Sequence, residues 1–135
     1  MTEKSYDQFV AYILQNQDRF YRLAYFYIDD QNAAMDIVQR SIDCALNTYD
    51  TFHNSNEICF YRILVSECQN MEENTNRLTD IQDRVMQKTR QLDFIHCMVL
   101  ILYYFEDFSL EEVAQIMQTT KDAIETCLSD LLRVL

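Results

Sequence analysis

Two histidines, five cysteines and 22 carboxylates are the side chains of this 135-residue chain with reactive chemistry to offer. A metal site needs several of them together, and cysteine ligands usually come as close pairs. Cys44, Cys59, Cys68, Cys97 and Cys127 form no such pair and are odd in number, so neither a zinc site nor a disulfide framework is expected. Buried thiols in a reducing compartment are the simpler reading. His53 falls in a polar turn. His96 lies in the apolar run FIHCMV, where a hydrogen-bonded core imidazole is expected rather than a ligand or base. The carboxylates are scattered along helix surfaces. With no glycine, the chain has no loop of the kind that cradles phosphate. No catalytic residue, metal, cofactor or small-molecule substrate is therefore expected. What remains is recognition by charge and shape.

Charge narrows the choice of partner. The 22 acidic residues outnumber the 11 basic ones, giving a net charge of −11. The first 78 residues hold twelve acids and six bases, the rest ten and five, so the excess is even. Such a surface repels free DNA, whose binders usually carry a basic patch, and attracts a basic protein. The longest apolar run, Phe94 to Phe105, spans 12 residues. A membrane helix needs about 20, so no membrane span is expected. With no signal peptide visible, the expected location is the cytoplasm.

The elements that must position these residues are helices. The chain has neither Gly nor Pro, which removes the usual residues of tight hairpins. Ser5 to Asn16 places Tyr6, Phe9, Ile13 and Leu14 on one stripe, with Ser5 as a candidate N-cap. Asp18 to Ile28 is rich in aromatics. Asp30 or Asn32 can cap the amphipathic stretch Ala33 to Thr48. Phe52 to Asn56 reads as loop and Glu57 to Met71 as helix. Glu72 to Thr79 is the most polar stretch and the expected hinge. Ile81 to Lys88 can continue as helix, and Leu92 to Phe105 is an apolar helix. The class is all-α, with domains over 1–75 and 91–135 joined by a linker over 76–90.

The last third has the sharpest pattern. Ser109 and Glu112 have the spacing of a capping box. A short helix, Leu110 to Met117, then a turn, Gln118-Thr119-Thr120, and an amphipathic helix, Lys121 to Leu135, have the spacing of a helix-turn-helix. Ile124, Leu128, Leu131 and Leu132 are expected to face inward. Ala114 falls where the two helices approach, with Ile116 and Ile124 filling the gap between them. An ordinary helical hairpin fits the same spacing.

The segment from Tyr103 to Leu135 (YYFEDFSLEEVAQIMQTTKDAIETCLSDLLRVL) resembles the −35-binding domain of sigma-70 family factors. FYRLAYFYIDDQNAAMDIVQRSIDCAL resembles their core-polymerase-binding segment, and ICFYRILVSECQN the following helix, which meets the −10 element. Order, spacing and length are similar to the extracytoplasmic-function group, over about residues 5–75 and 91–135. The resemblance implies an N-terminal helical bundle and a C-terminal helix-turn-helix. It implies docking on the clamp helices of the largest subunit of core RNA polymerase through Asp36, Val38, Gln39 and Ile42. It also implies promoter DNA contacts by Tyr61, Arg62, Thr120, Lys121 and Arg133. Asp36 and Gln39 lie one helical turn apart and share a face, which a merely solvated surface would also show. Tyr61 is equally readable as core and Arg62 as a surface charge.

Departures from the family pattern concern DNA. Where the family carries Lys and Arg on the last helix, this chain has Glu125, Cys127, Asp130 and Leu132. Carboxylates there oppose the phosphate contacts that supply most affinity. Gln118 stands for the usual glycine after the short helix. Cys59 stands for a tryptophan, Ser66 for an asparagine, and Glu72-Glu73 for a basic cluster. The expected function is that of a sigma factor directing transcription initiation. The alternative is a sigma-like decoy that binds an anti-sigma factor or polymerase without reading DNA.

Overall fold

The computed structural model describes residues 3–52, 55–75 and 94–134. Every regular element among the described residues is helical. The order is α1 (Glu3–Gln15), α2 (Gln17–Ile28), α3 (Gln31–Thr48), a 3-10 turn (Tyr49–Thr51), α4 (Asn56–Thr75), α5 (Phe94–Leu100) running into a π turn (Ile101–Phe105), α6 (Leu110–Met117) and α7 (Lys121–Val134). The chain divides into two compact units, Met1–Cys68 and Gln69–Leu135.

In the first unit, two adjacent aspartates do the work of a glycine turn. Asp29 takes the left-handed conformation (φ 54°) and its N–H donates to the Tyr25 carbonyl at 2.8 Å, ending α2. Asp30 is extended, and its carboxylate accepts the Ala33 N–H at 2.8 Å, starting α3. Asp tolerates this turn because its short side chain bonds to nearby backbone. The folded-back α3 packs along α2.

Aromatic rings dominate what these helices bury. Phe9 stacks on Tyr49 with centroids 4.8 Å apart, and Phe52 meets both edge-on. Phe20 lies 4.1 Å from Phe60 and 5.6 Å from Tyr61, joining α2 to α4. Beyond the area they bury, such pairs contribute about 0.5–1.5 kcal/mol each. The stripe expected on α1 is narrower than its sequence suggests: Phe9 and Ile13 are buried, while Tyr6 and Leu14 are exposed.

Several boundaries differ from expectation. α1 begins at Glu3, so Ser5 lies within the helix rather than at its cap. α4 runs on to Thr75, into the stretch expected to be hinge. Glu, Asn and Thr oppose a helix only weakly, and no Gly or Pro ends it. The expected linker over 76–90, the helix Ile81 to Lys88, and His53 lie outside the described residues.

In the second unit, α7 packs against α5 and α6. Met98, Val99, Leu102, Val113, Ile116, Ile124 and Leu131 form its buried interior. The apolar helix expected from Leu92 to Phe105 is seen from Phe94, and its last five residues widen into the π turn. Asp107 then reverses the chain in the left-handed conformation (φ 61°), and Phe108 is buried. Leu132, expected inside, is 72% exposed. Ile124, Leu128 and Leu131 follow the i, i+4, i+7 stripe, and the next residue turns out of it.

Candidate functional site

On α3, the buried stripe of Ala34, Ile37, Val38, Ser41 and Ala45 fixes what faces outward. The opposite face presents Met35, Asp36, Gln39, Arg40 and Asp43, all exposed. Arg40 Nε donates to Asp36 Oδ2 at 3.2 Å, and Gln39 Nε2 donates to Asp43 Oδ1 at 3.1 Å. Both pairs span one turn, so they order the side chains at little cost, and each adds a few tenths of a kcal/mol. Asp36 and Gln39 therefore do share an accessible face. Val38 does not: its side chain belongs to the core. Ile42 is half-buried at the flank. Met35, 61% exposed beside Asp36, was not anticipated. A methionine standing out among charges in an amphipathic helix is the signal that could have found it, since flexible thioethers suit partner contacts.

On α4, Tyr61 and Arg62 part company. Tyr61 is fully buried, with Phe20 at its edge and the Arg19 guanidinium 5.6 Å from its ring centroid. No ring face is left for a base, so the core reading of Tyr61 holds and the base-stacking one is corrected. Arg19 Nη1 also bonds Glu57 Oε2 at 3.3 Å and Asn16 Oδ1 at 3.3 Å, tying α2 to α4. Arg62 is half-buried.

The helix-turn-helix in the second unit is built by local chemistry. Ser109 Oγ accepts the Glu112 N–H at 3.1 Å, and Glu112 Oε1 accepts the Ser109 N–H at 2.9 Å, a closed capping box. α6 ends on Gln118 in the left-handed conformation (φ 58°), and the Thr119 N–H donates to the Ala114 carbonyl at 2.9 Å. The turn is thus retained without glycine, at about 1–2 kcal/mol for a residue with a Cβ. Thr120 Oγ1 caps α7 by accepting the Ala123 N–H at 3.1 Å. The hydroxyl of Thr120 thereby has a structural task. Ala114, Ile116 and Ile124 are buried at the approach of the two helices, as expected.

The outer face of α7 presents Lys121, Asp122, Glu125, Thr126, Ser129, Leu132 and Arg133. Lys121 Nζ lies 4.0 Å from Glu111 Oε1, with both groups exposed. Cys127 and Asp130 are half-buried. The Asp130 carboxylate is 3.5 Å from His96 Nε2 on α5. His96 is accordingly a partnered, mostly buried imidazole.

Reactive chemistry has little foothold. Burial pushes the Cys68 thiol far above its ordinary range, aided by the Glu67 charge, which keeps it protonated. All five cysteines are free. The described residues hold no group of three or more metal-ligating side chains, and no described helix is long and apolar enough to cross a membrane.

A helical unit with a polar outer face on α3 is thus followed by a capped helix-turn-helix, and known proteins share this arrangement. Residues 73–135 match the family described as helix-turn-helix protein, YlxM / p13 like. The chain is 28% identical to the RNA polymerase sigma factor SigV of Bacillus subtilis, over 93% of this chain and 87% of that protein. Its fold is similar to the sigma factor RpoE of Bartonella quintana, solved in complex with the anti-sigma factor NepR. That match has a TM-score of 0.75 and 18% identity, and covers 95% of this chain and 94% of the other. The chain is thus similar, over most of its length, to one RNA polymerase sigma factor and shares the fold of another.

Proposed function

We propose that this chain is a cytoplasmic adapter rather than an enzyme. It binds core RNA polymerase and directs transcription initiation at promoters. The observation that carries this reading is the likeness to SigV, which runs through both units rather than one. Asp36 and Gln39, with Met35 beside them, form the docking face for the clamp helices of the polymerase. Lys121 and Arg133 on α7, and Arg62 on α4, supply the positive contacts to DNA, while Thr120 holds the start of α7 in place. The net charge of −11 suits a basic partner on the remaining surface. A basic anti-sigma factor fits that description, and RpoE, whose fold this chain shares, was solved with an anti-sigma factor.

The decoy reading is not favoured, because the likeness to SigV covers 93% of this chain and 87% of that protein. The test is reconstitution. The purified chain is mixed with core polymerase and run on a sizing column, and the complex is given fragmented genomic DNA and nucleotides. Co-elution with defined transcript starts is expected. Absence of co-elution would refute the adapter reading, and co-elution without any transcript start would restore the decoy.

A further inference from the structure

α7 has three stripes. Ile124, Leu128 and Leu131 point inward, and Asp122, Glu125, Thr126, Ser129 and Arg133 outward. Between them Ala123, Cys127 and Asp130, spaced i, i+4, i+7, form a half-buried flank. Asp130 is the charged member of that flank. Its Oδ2 lies 3.5 Å from His96 Nε2, with the His96 side chain 19% and the Asp130 side chain 44% exposed. α5 and α7 pack together, so this contact joins the helix-turn-helix to the helix behind it.

We propose that His96 is a positioning residue for DNA recognition: from α5 it holds the Asp130 carboxylate on the flank of α7, off the outer face. This rests on the reading of α7 as the DNA-facing helix. Lys121 and Arg133 stand against Asp122, Glu125 and Asp130, so the helix as a whole carries one net negative charge. With Asp130 held on the flank, the outer face sets two acids, Asp122 and Glu125, against two bases, Lys121 and Arg133. That matters because each phosphate contact weighs on affinity through local charge. The chain thus keeps one of the three carboxylates of α7 off the outer face without adding a base to it.

The test uses the full chain and non-specific duplex DNA at low salt, read by fluorescence anisotropy. His96→Ala releases the Asp130 carboxylate and is expected to weaken binding about two- to fivefold, the equivalent of a partly exposed ion pair. It is expected to change nothing when Asp130→Asn is already present. His96→Gln keeps a donor and is expected to bind as the unmodified chain does. Thermal melts confirm that each variant is folded. Equal weakening by His96→Ala with and without Asp130 would overturn the proposal, since the effect would then not run through that carboxylate. A second readout needs no DNA. The His96 ring is followed by NMR at fixed pH, and Asp130→Asn is expected to move its resonances, because the carboxylate lies 3.5 Å from Nε2. Unchanged resonances would overturn the pairing itself. If no variant binds DNA, not even Glu125→Lys, while the NMR coupling is present, it is the reading of α7 as DNA-facing that has failed, and the recognition role of His96 falls with it.

Discussion

The outer faces of α3 and α7 are built on equally firm scaffolds and carry opposite messages. α3 is started by the Asp30 cap and seated on α2, and its outward residues are paired polar groups beside an exposed methionine. α7 is started by the Thr120 cap and seated on α5 and α6, yet its outward face sets Asp122 and Glu125 against Lys121 and Arg133 and offers a phosphate no net positive charge. Scaffold and surface obey different constraints. Burial and backbone hydrogen bonding hold the first, and removing any part costs kilocalories. An exposed charge costs the fold a few tenths either way. The helix-turn-helix can therefore stay intact while its contact set changes.

The largest effect is expected where scaffold is removed. Phe20 is fully buried and is the ring through which α2 meets α4. Phe20→Ala should destabilise the first unit by about 3–5 kcal/mol, the usual range for a core aromatic. Amide exchange should show lost protection in α1 to α4. Retained protection there would mean that the aromatic cluster is not what holds the unit together.

Next comes the surface of α3. Asp36→Arg breaks the bond to Arg40 and sets two cations one turn apart, a loss of a few tenths of a kcal/mol that leaves the helix formed. Binding to core polymerase should fall roughly tenfold, about 1.4 kcal/mol, as measured by titration with fluorescent core. Unchanged affinity in a folded Asp36→Arg variant would move the docking face off α3. A smaller effect is expected at the start of α6. Ser109→Ala opens the capping box and should cost about 1 kcal/mol of stability in the second unit, seen as a lower unfolding midpoint in urea.

What was legible in the sequence follows the same division. Local rules were readable: the Asp30 cap, the capping box at Ser109 and Glu112, and the inward Ile116 and Ile124 each depend on a few neighbours in the chain. Tyr61 was ambiguous because its fate depends on Phe20 and Arg19, some forty residues away. Leu132 is exposed because a helix stripe has edges that periodicity alone leaves one residue wide of the mark, whereas the periodicity of α3 puts Val38 on the buried side and only the family resemblance gave it a docking role. The His96–Asp130 contact spans 34 residues, and no local pattern announces it. The extension of α4 to Thr75 was missed because polarity was taken for a hinge, whereas polar residues without Gly or Pro leave a helix free to continue.

The smallest effect sharpens the comparison from the scaffold side. Gln118 ends α6 at φ 58°, where its Cβ crowds the backbone. Gly removes that crowding, worth about 1–2 kcal/mol. It also widens the unfolded ensemble, which returns roughly 0.4–1 kcal/mol. Gln118→Gly should therefore stabilise the second unit by about 0–1.6 kcal/mol, a shift of at most a few degrees in its melting point. The backbone bonds from Gln118 and Thr119 back to Ala114 and Gln115 need no side chain and should persist. The outward residues of α7 should then sit as before, and DNA affinity should be unchanged. A marked loss of stability in Gln118→Gly would show that the glutamine side chain contributes to the turn. A change in DNA affinity would show that turn and contact face are coupled, against the separation of scaffold from surface drawn between α3 and α7.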